Sequence, residues 1–177
     1  MIKKTTLETP RLILREFELS DAEAVLRFNS DDQVTKYTGD KGNITTLDEA
    51  REVIRSVWQY GYQHDGYARL AAVDKATNQV IGFCGLKYLP EYQMADVGYR
   101  FLPQFWGQGL ATEGAKAAME YGFKQLKLDH IMGMAVPENV GSTKVLLKIG
   151  LLPAGQIIDL GLNIDLFKVS REQYLKQ

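Results

Sequence analysis

Residues 96–113 read Asp-Val-Gly-Tyr-Arg-Phe-Leu-Pro-Gln-Phe-Trp-Gly-Gln-Gly-Leu-Ala-Thr-Glu, and this stretch decides the predicted fold. A strand runs into a turn that contains Gly107 and Gly109, and the turn opens a helix. Glycines let the backbone curl so that several N–H groups converge, and a helix N-terminus adds positive potential. The stretch therefore predicts an anion-binding turn, with a plain connection between strand and helix as the alternative.

Two common phosphate-binding motifs do not fit this turn. No Gly-Lys-Ser/Thr follows the glycines, which excludes a P-loop. Thr112 stands where a dinucleotide-binding Gly-x-Gly-x-x-Gly motif needs its third glycine. The anion has to be held in another way, through main-chain amides.

Composition narrows the class of protein. The chain has 177 residues, of which 45% are hydrophobic and 24% charged, with a net charge of -1. This length and composition predict a single globular domain over residues 1–177. The near-neutral charge argues against nucleic acid as a partner. One cysteine, Cys84, excludes an internal disulfide, and His64 and His130 lack ligand spacing, so no metal site is expected.

The N-terminus gives no targeting signal. The first 17 residues contain only a short apolar stretch, broken by Arg11 and Arg15, and no run approaches the roughly 20 apolar residues of a membrane span. We therefore expect a cytoplasmic protein without membrane contact.

Hydrophobic periodicity and turn residues predict the order β-α-α-β-β-β-α-β-α-β-β. Strands 94–102 and 130–136 are expected to be parallel because helix 109–127 connects them. The fold class is therefore α/β with a mixed sheet. The remaining predicted strands are 11–16, 67–73, 79–89, 152–160 and 163–169, and the remaining helices are 20–28, 46–60 and 139–149.

Two capping boxes and one loop complete the predicted architecture. Ser20 with Glu23 and Thr46 with Glu49 have the spacing that begins a helix. Residues 29–45 are polar and predict turns. The aspartates of that loop either attract a cationic acceptor or simply form a solvated loop, and the second is the favoured interpretation.

The glycine turn resembles motif A of the GCN5-related N-acetyltransferase (GNAT) superfamily, Arg/Gln-x-x-Gly-x-Gly/Ala. Residues 104–109 match the residue types of the motif. Residues 106–111 match its position relative to the helix, since in the family the last Gly/Ala lies in the first helical turn. We prefer the second frame. It puts Trp106 where the family has Arg or Gln. In this departure the chain resembles the ribosomal-protein alanine acetyltransferase subgroup, in which an aromatic-Trp-Gly-x-Gly sequence is familiar.

The resemblance spans nearly the whole chain. Six segments are similar to landmarks of that subgroup: residues 8–15, 21–24, 81–85, 97–99, 137–142 and 148–151. It implies a single-domain GNAT-like fold whose parallel strands 94–102 and 130–136 splay apart, with the acetyl group of acetyl-CoA in the gap.

The resemblance also implies which residues bind acetyl-CoA. The pyrophosphate is expected on the main-chain amides of the turn, and the pantetheine arm beside the preceding strand. Phe101 and Leu102 can be core residues at the same time, since the expected contact is through the backbone, and Asn139 can also be a helix N-cap. The implied cofactor-binding residues are Phe101, Leu102, Gly107, Gln108, Gly109, Leu110, Ala111, Thr112, Asn139 and Ser142.

The candidate catalytic residues are Ser142 and Asp96. The resemblance places Ser142 near the sulfur, where it would act as general acid; otherwise it is an ordinary residue of the first helical turn. Asp96 is the candidate base, acting through water, with a solvated edge carboxylate as the alternative.

Four other titratable residues are not expected to take part in catalysis. Tyr88 and Tyr99 are expected to pack rather than titrate, Cys84 to be a buried thiol, and His64 to lie on the surface.

The function implied is transfer of an acetyl group from acetyl-CoA, the cosubstrate, to a primary amine. The acceptor is either a protein N-terminus or a small-molecule amine, and the protein is a monomer or a homodimer. A non-catalytic module that binds coenzyme A or acyl-CoA and senses it is the alternative.

Overall fold

Eight strands form one mixed sheet in the computed structural model, which describes residues 3–177. In chain order they are β1 Thr6–Glu8, β2 Leu12–Arg15, β3 Arg69–Asp74, β4 Gln79–Leu89, β5 Met94–Phe101, β6 His130–Ala135, β7 Leu152–Asp159 and β8 Leu162–Ser170. Their order across the sheet is β1-β2-β3-β4-β5-β6-β8-β7. This architecture confirms the predicted α/β class with a mixed sheet.

Six α-helices accompany the sheet over residues 3–177. They are α1 Ala22–Ser30, α2 Leu47–Val53, α3 Tyr60–His64, α4 Leu110–Glu120, α5 Val140–Lys148 and α6 Arg171–Leu175. A π-helical segment, Ile54–Gln59, joins α2 to α3, and another, Tyr121–Gln125, continues α4. Within the described range, no helix combines the length and apolar character needed to cross a membrane.

The parallel strands β5 and β6 separate along their length. They pair only at Ala95 with Ile131 and at Asp96 with Met132, whereas β5 continues to Phe101. The helix α4 connects them, as the sequence predicted. Because pairing stops after Asp96, the edge of β5 that faces β6 has no partner strand there, and a gap opens in the sheet.

Apolar clusters cover both faces of the sheet. On one face, α4 packs with Ala115, Ala118 and Met119 buried. A Cβ added to Gly114 would lie 3.1 Å from the Cys84 sulfur, so the small residues of α4 do allow the close approach that the sequence indicated. On the other face, Phe17 stacks on Trp58 with ring centroids 4.0 Å apart, beside α1 and α2.

The first helix begins differently from the prediction. The capping box is Glu18 with Asp21, not Ser20 with Glu23, and a 3₁₀ turn, Leu19–Asp21, precedes α1. Arg15 fixes Asp21 through two hydrogen bonds of 2.8 and 3.0 Å, a contact from a neighbouring strand that local spacing does not encode. The Thr46–Glu49 box at α2 is confirmed.

Candidate functional site

A cleft of about 670 Å³ opens where β5 and β6 separate. Its walls come from the loop before α2, the end of β5, the glycine turn and the first turns of α5. The lining includes most of the predicted cofactor residues: Phe101, Gly107, Gly109, Leu110, Ala111, Thr112, Asn139 and Ser142. Chain segments far apart in sequence therefore meet in one concave site.

Two predicted cofactor residues do not line this cleft. Leu102 is 5% exposed, and its amide donates to the carbonyl of Ile81 at 3.0 Å. The side chain of Gln108 bonds back to the carbonyl of Gln104 at 3.1 Å. Both are sequence neighbours of residues that line the cleft: Leu102 follows Phe101, and Gln108 lies between Gly107 and Gly109.

The glycine turn has the backbone that only glycine adopts readily. Gly107 and Gly109 have φ values of 72° and 81°, in the left-handed region. Gly109 is the N-cap of α4, and no side chain of residues 3–177 caps it. The first amides of α4 are thus left for an anion, and the helix dipole favours negative charge at the same place.

Trp106 anchors this turn to the end of β5. Its indole Nε1 donates to the carbonyl of Phe101 at 2.7 Å, while 48% of the residue remains exposed. This bond closes the turn over a short 3₁₀ segment, Pro103–Phe105. It gives a structural reason for tryptophan at the position where motif A has Arg or Gln.

The cleft is positively charged. Lys36, Arg100, Lys144 and Lys148 line it, and no carboxylate does so among residues 3–177. The chain as a whole has a net charge of -1, so this asymmetry is local. A cationic, partly apolar cleft with free helix amides suits a ligand that carries phosphates and an apolar arm.

Tyr99 and Ser142 meet at the floor of the cleft. The Tyr99 hydroxyl lies 3.0 Å from Ser142 Oγ and donates to the Ser142 carbonyl at 2.8 Å. The Asn139 side chain caps α5 by accepting from the Ser142 amide at 3.2 Å, which confirms its N-cap role. Burial raises the pKa of Tyr99, so its hydroxyl stays protonated.

The contact between Tyr99 and Ser142 was missed by sequence reasoning. Tyr99 was expected only to pack, and it does pack at the edge of the α4 cluster. Alternation along β5 places it on the same face as Val97, which was a usable signal for its direction. Its partner, however, lies 43 residues further along the chain.

Asp96 lies on the opposite face of β5. It is three residues from Tyr99, so the two side chains point to different sides of the sheet. Asp96 is 6% exposed and forms an ion pair with Arg69, whose guanidinium also donates to the Gly85 carbonyl at 2.7 Å. The interpretation of Asp96 as a solvated edge carboxylate is therefore wrong.

Burial controls the protonation of Asp96. Desolvation raises its pKa above the ordinary value, and the Arg69 guanidinium acts in the opposite direction. Gly98 makes room for this pair, because a Cβ at that position would lie 2.5 Å from Arg69 Nη2. The ion pair and the glycine form one unit on this face of the sheet.

The aspartates of the loop are bound within the protein. Asp40 forms an ion pair with Arg100 at 3.1 Å, and Asp32 one with Lys41 at 3.2 Å. Asp31 accepts from the amides of residues 33 and 34. These contacts confirm the interpretation as a polar loop, and Asp40 ties the loop to β5.

Cys84 and His64 occupy the places that the sequence predicted. Cys84 is fully buried, and burial raises the pKa of its thiol to about 12, so it is inert as a nucleophile at neutral pH. His64 is exposed and stacks on Tyr60, with ring centroids 3.9 Å apart. Neither residue lines the cleft.

Comparison with known proteins identifies the family. A family model described as an acetyltransferase (GNAT) domain matches residues 11–152. The chain belongs to the GNAT acetyltransferases. It is 34% identical over 158 residues to the uncharacterised N-acetyltransferase p20 of Bacillus licheniformis, a match that covers 87% of this chain and 86% of p20.

Solved structures of acetyltransferases have the same fold. A GNAT-family acetyltransferase from Bacillus anthracis superposes with a TM-score of 0.78 at 27% identity, covering 95% of this chain and 99% of that one. A ribosomal L7/L12 α-N-protein acetyltransferase, RimL, solved with coenzyme A, gives a TM-score of 0.80 at 16% identity, covering 94% and 98%. The family match and the relatives named N-acetyltransferases make this chain an acyltransferase enzyme, and GNAT acetyltransferases use acetyl-CoA.

Proposed function

We propose that residues 1–177 act as one domain that binds acetyl-CoA in the cleft and transfers its acetyl group to a primary amine. The observation that carries the placement is the glycine turn, whose left-handed Gly109 leaves the first amides of α4 uncapped within residues 3–177. The pyrophosphate lies on residues 107–112, and the pantetheine arm follows β5 past Phe101 toward Asn139, whereas Leu102 faces away from the cleft. Lys36, Lys144 and Lys148 of the cleft support the same placement, whereas Arg100 is paired with Asp40.

The bound cosubstrate supplies an acetyl thioester that a neutral amine can attack. The chain's own residues then have three tasks. The unpaired edge of β5 beyond Asp96 offers backbone N–H groups to the developing oxyanion. Ser142 holds a proton for the departing sulfur, and Asp96 accepts one from the acceptor amine through water. Ser142 lines the cleft, whereas Asp96 lies outside its lining on the other face of β5, so proton transfer to Asp96 requires a connecting water.

Ser142→Ala is expected to lower kcat by about 10²-fold, the low end for general acid catalysis, because a coenzyme A thiol is already a fair leaving group. The Kd for acetyl-CoA should change little. Steady-state kinetics with saturating acceptor, together with calorimetric binding, separate the two quantities. Full kcat in the variant would make Ser142 a residue of the helix cap only.

Tyr99→Phe provides a matched variant. It keeps the ring that packs at the edge of the α4 cluster and removes only the hydroxyl that contacts Ser142. A smaller loss of kcat than in Ser142→Ala is expected, since Tyr99 acts by orienting Ser142. Equal losses, with no further loss in the double variant, would indicate that the two hydroxyls work as one unit.

Asp96→Asn is expected to depress the rate most at low pH. There the acceptor amine is protonated, since a free alkyl amine has a pKa of about 10 and an α-amino group one of about 8. At higher pH more amine is already neutral, so the variant should recover. The measurement is a pH profile of kcat/KM for both proteins, with acetyl-CoA affinity as control. A variant that loses nothing at any pH would assign proton removal to solvent or another group.

The acceptor class is tested by measuring release of the coenzyme A thiol. The panel contains peptides with Ser or Ala at the N-terminus, polyamines, amino acids and aminoglycosides. Amine-dependent release, together with acetylated product in the mass spectrum, would support the proposed reaction and choose between a protein N-terminus and a small amine. No release with any member would contradict a primary-amine acceptor.

A further inference from the structure

Arg11 connects the N-terminal strands to the proposed pyrophosphate turn. Its Nη1 donates to the Gln108 carbonyl at 2.8 Å, and its Nε donates to Glu113 Oε1 at 2.9 Å. The Arg11 amide and the Thr9 hydroxyl both donate to Glu113 Oε2, at 3.0 and 2.7 Å. Arg11, which lies between β1 and β2, therefore binds both the glycine turn and the first turn of α4.

Glu113 does not line the cleft, but it brings a negative charge next to the proposed pyrophosphate site. It is an acidic residue in the first turn of α4, where the proposed site holds the two negative charges of a pyrophosphate. Although partial burial acts to raise its pKa, hydrogen bonds from Thr9 and Arg11 hold the pKa of Glu113 below its ordinary value. The carboxylate therefore stays charged at neutral pH and opposes a second anion unless a cation compensates it.

We propose that Arg11 is a positioning residue for the pyrophosphate of acetyl-CoA. It neutralises Glu113, and it holds the Gln108 carbonyl so that this oxygen cannot turn toward the phosphates. A Cβ at Gly109 would lie 3.5 Å from Arg11 Nη2, so the guanidinium reaches the helix N-cap itself. This role rests on the proposed placement of the pyrophosphate on residues 107–112.

If Arg11 served only to stabilise the fold, Arg11→Met would lower the thermal midpoint. The exposure of the side chain leads us to expect a different result. The Arg11 side chain is 47% exposed, and exposed ion pairs contribute little to stability. Thr9 and the Arg11 amide continue to hold Glu113 when the guanidinium is removed. Arg11→Met should therefore leave the fold and its thermal midpoint nearly unchanged while it changes the charge beside the turn.

The test compares two ligands that differ in the 3′-phosphoadenosine diphosphate group, of which the pyrophosphate is a part. Acetyl-CoA carries the pyrophosphate, whereas S-acetylpantetheine carries the same thioester and arm without phosphates. Arg11→Met is expected to raise the Kd for acetyl-CoA about tenfold, equal to about 1.4 kcal/mol, and the Kd for S-acetylpantetheine less than twofold. Arg11→Lys keeps the charge but lacks the planar guanidinium that bonds to two partners at once. It should therefore recover part of the acetyl-CoA affinity that Arg11→Met loses.

A second change examines the electrostatic part of the proposal. Glu113→Gln removes the opposing charge, and its amide oxygen can still accept from Thr9. In the Arg11→Met background it should return the acetyl-CoA Kd to within about threefold of the unmodified protein. Lys75→Met is the matched control, because Lys75 pairs with Glu8 at 2.6 Å near the same end of the sheet and does not contact the turn. Its Kd should not change.

The outcomes separate this inference from the placement on which it rests. If Gly109→Glu abolishes acetyl-CoA binding but Arg11→Met leaves both Kd values unchanged, only the role of Arg11 is overturned. Equal losses for both ligands would also overturn it, because they indicate general damage to the cleft. If Gly109→Glu binds acetyl-CoA like the unmodified protein, the pyrophosphate placement fails and the inference fails with it.

Discussion

Gly109→Glu is expected to abolish acetyl-CoA binding, with a rise in Kd of at least about 10³-fold. The new carboxylate would stand at the N-cap of α4, among the amides proposed to bind the pyrophosphate. Gly109 also has a φ of 81°, so any side chain strains the backbone that aims those amides. Charge and strain therefore act together against the ligand.

The measurement combines calorimetric titration with the thermal shift that acetyl-CoA induces. A ligand that binds only the folded state raises the thermal midpoint by mass action, and this rise should vanish in the variant. Gly66→Glu is a matched control, because Gly66 has a φ of 84° with no atom near its Cβ position and lies outside the cleft. Unchanged binding in Gly109→Glu would remove the glycine turn from the proposed site.

Arg69→Met is expected to destabilise the fold by about 3–5 kcal/mol near pH 7. It leaves the Asp96 carboxylate buried and unpaired, and it removes the donor to the Gly85 carbonyl. The loss is larger than for an exposed pair because a carboxylate that is 6% exposed is only weakly solvated. Urea unfolding gives the free energy of unfolding directly.

The destabilisation should shrink as the pH falls. Burial raises the pKa of folded Asp96 above the ordinary value of 3.8, so the folded state binds more protons than the unfolded state between the two values. Stability therefore decreases as the pH rises through that window. Without Arg69 the pKa of folded Asp96 rises further, so the window extends to higher pH. Unfolding near pH 5 should show a smaller difference from the unmodified protein than near pH 7.

Two variants control this second prediction. Arg69→Met with Asp96→Asn should recover part of the stability near pH 7, since no buried charge remains. Arg171→Met removes an exposed pair with Asp129 and should cost at most about 1 kcal/mol. A loss of similar size in Arg69→Met and Arg171→Met would contradict the importance of the buried pair.

Local sequence patterns were sufficient for most elements. The β-branched and aromatic residues of β4 predicted Gln79–Leu89 with its bounds, and the Thr46–Glu49 box located the start of α2. The short elements β1 and α6 were not predicted, because three to five residues carry too little periodicity. The predicted helix 109–127 begins as expected at Gly109 but changes to a π-helical turn at Tyr121.

Tertiary structure decided how the candidate site is assembled. The sequence singled out Ser142 and Asp96, but not that Tyr99 contacts the first or that Arg69 pairs with the second. Both contacts cross from one element to another over tens of residues. No local spacing rule encodes such contacts, since they depend on strand order and on which face each side chain takes.

By itself, the sequence determined the parallel strands around α4, the glycine turn at its N-terminus and the resemblance that led to the family. These features depend on neighbours along the chain: glycine at positive φ, period-two strands and a helix that returns the chain to the sheet. Only the tertiary structure decided the charge of the cleft and the link from Arg11 to Glu113. Electrostatic interactions act through space, so the partners of a charged side chain are fixed only when the fold brings them together.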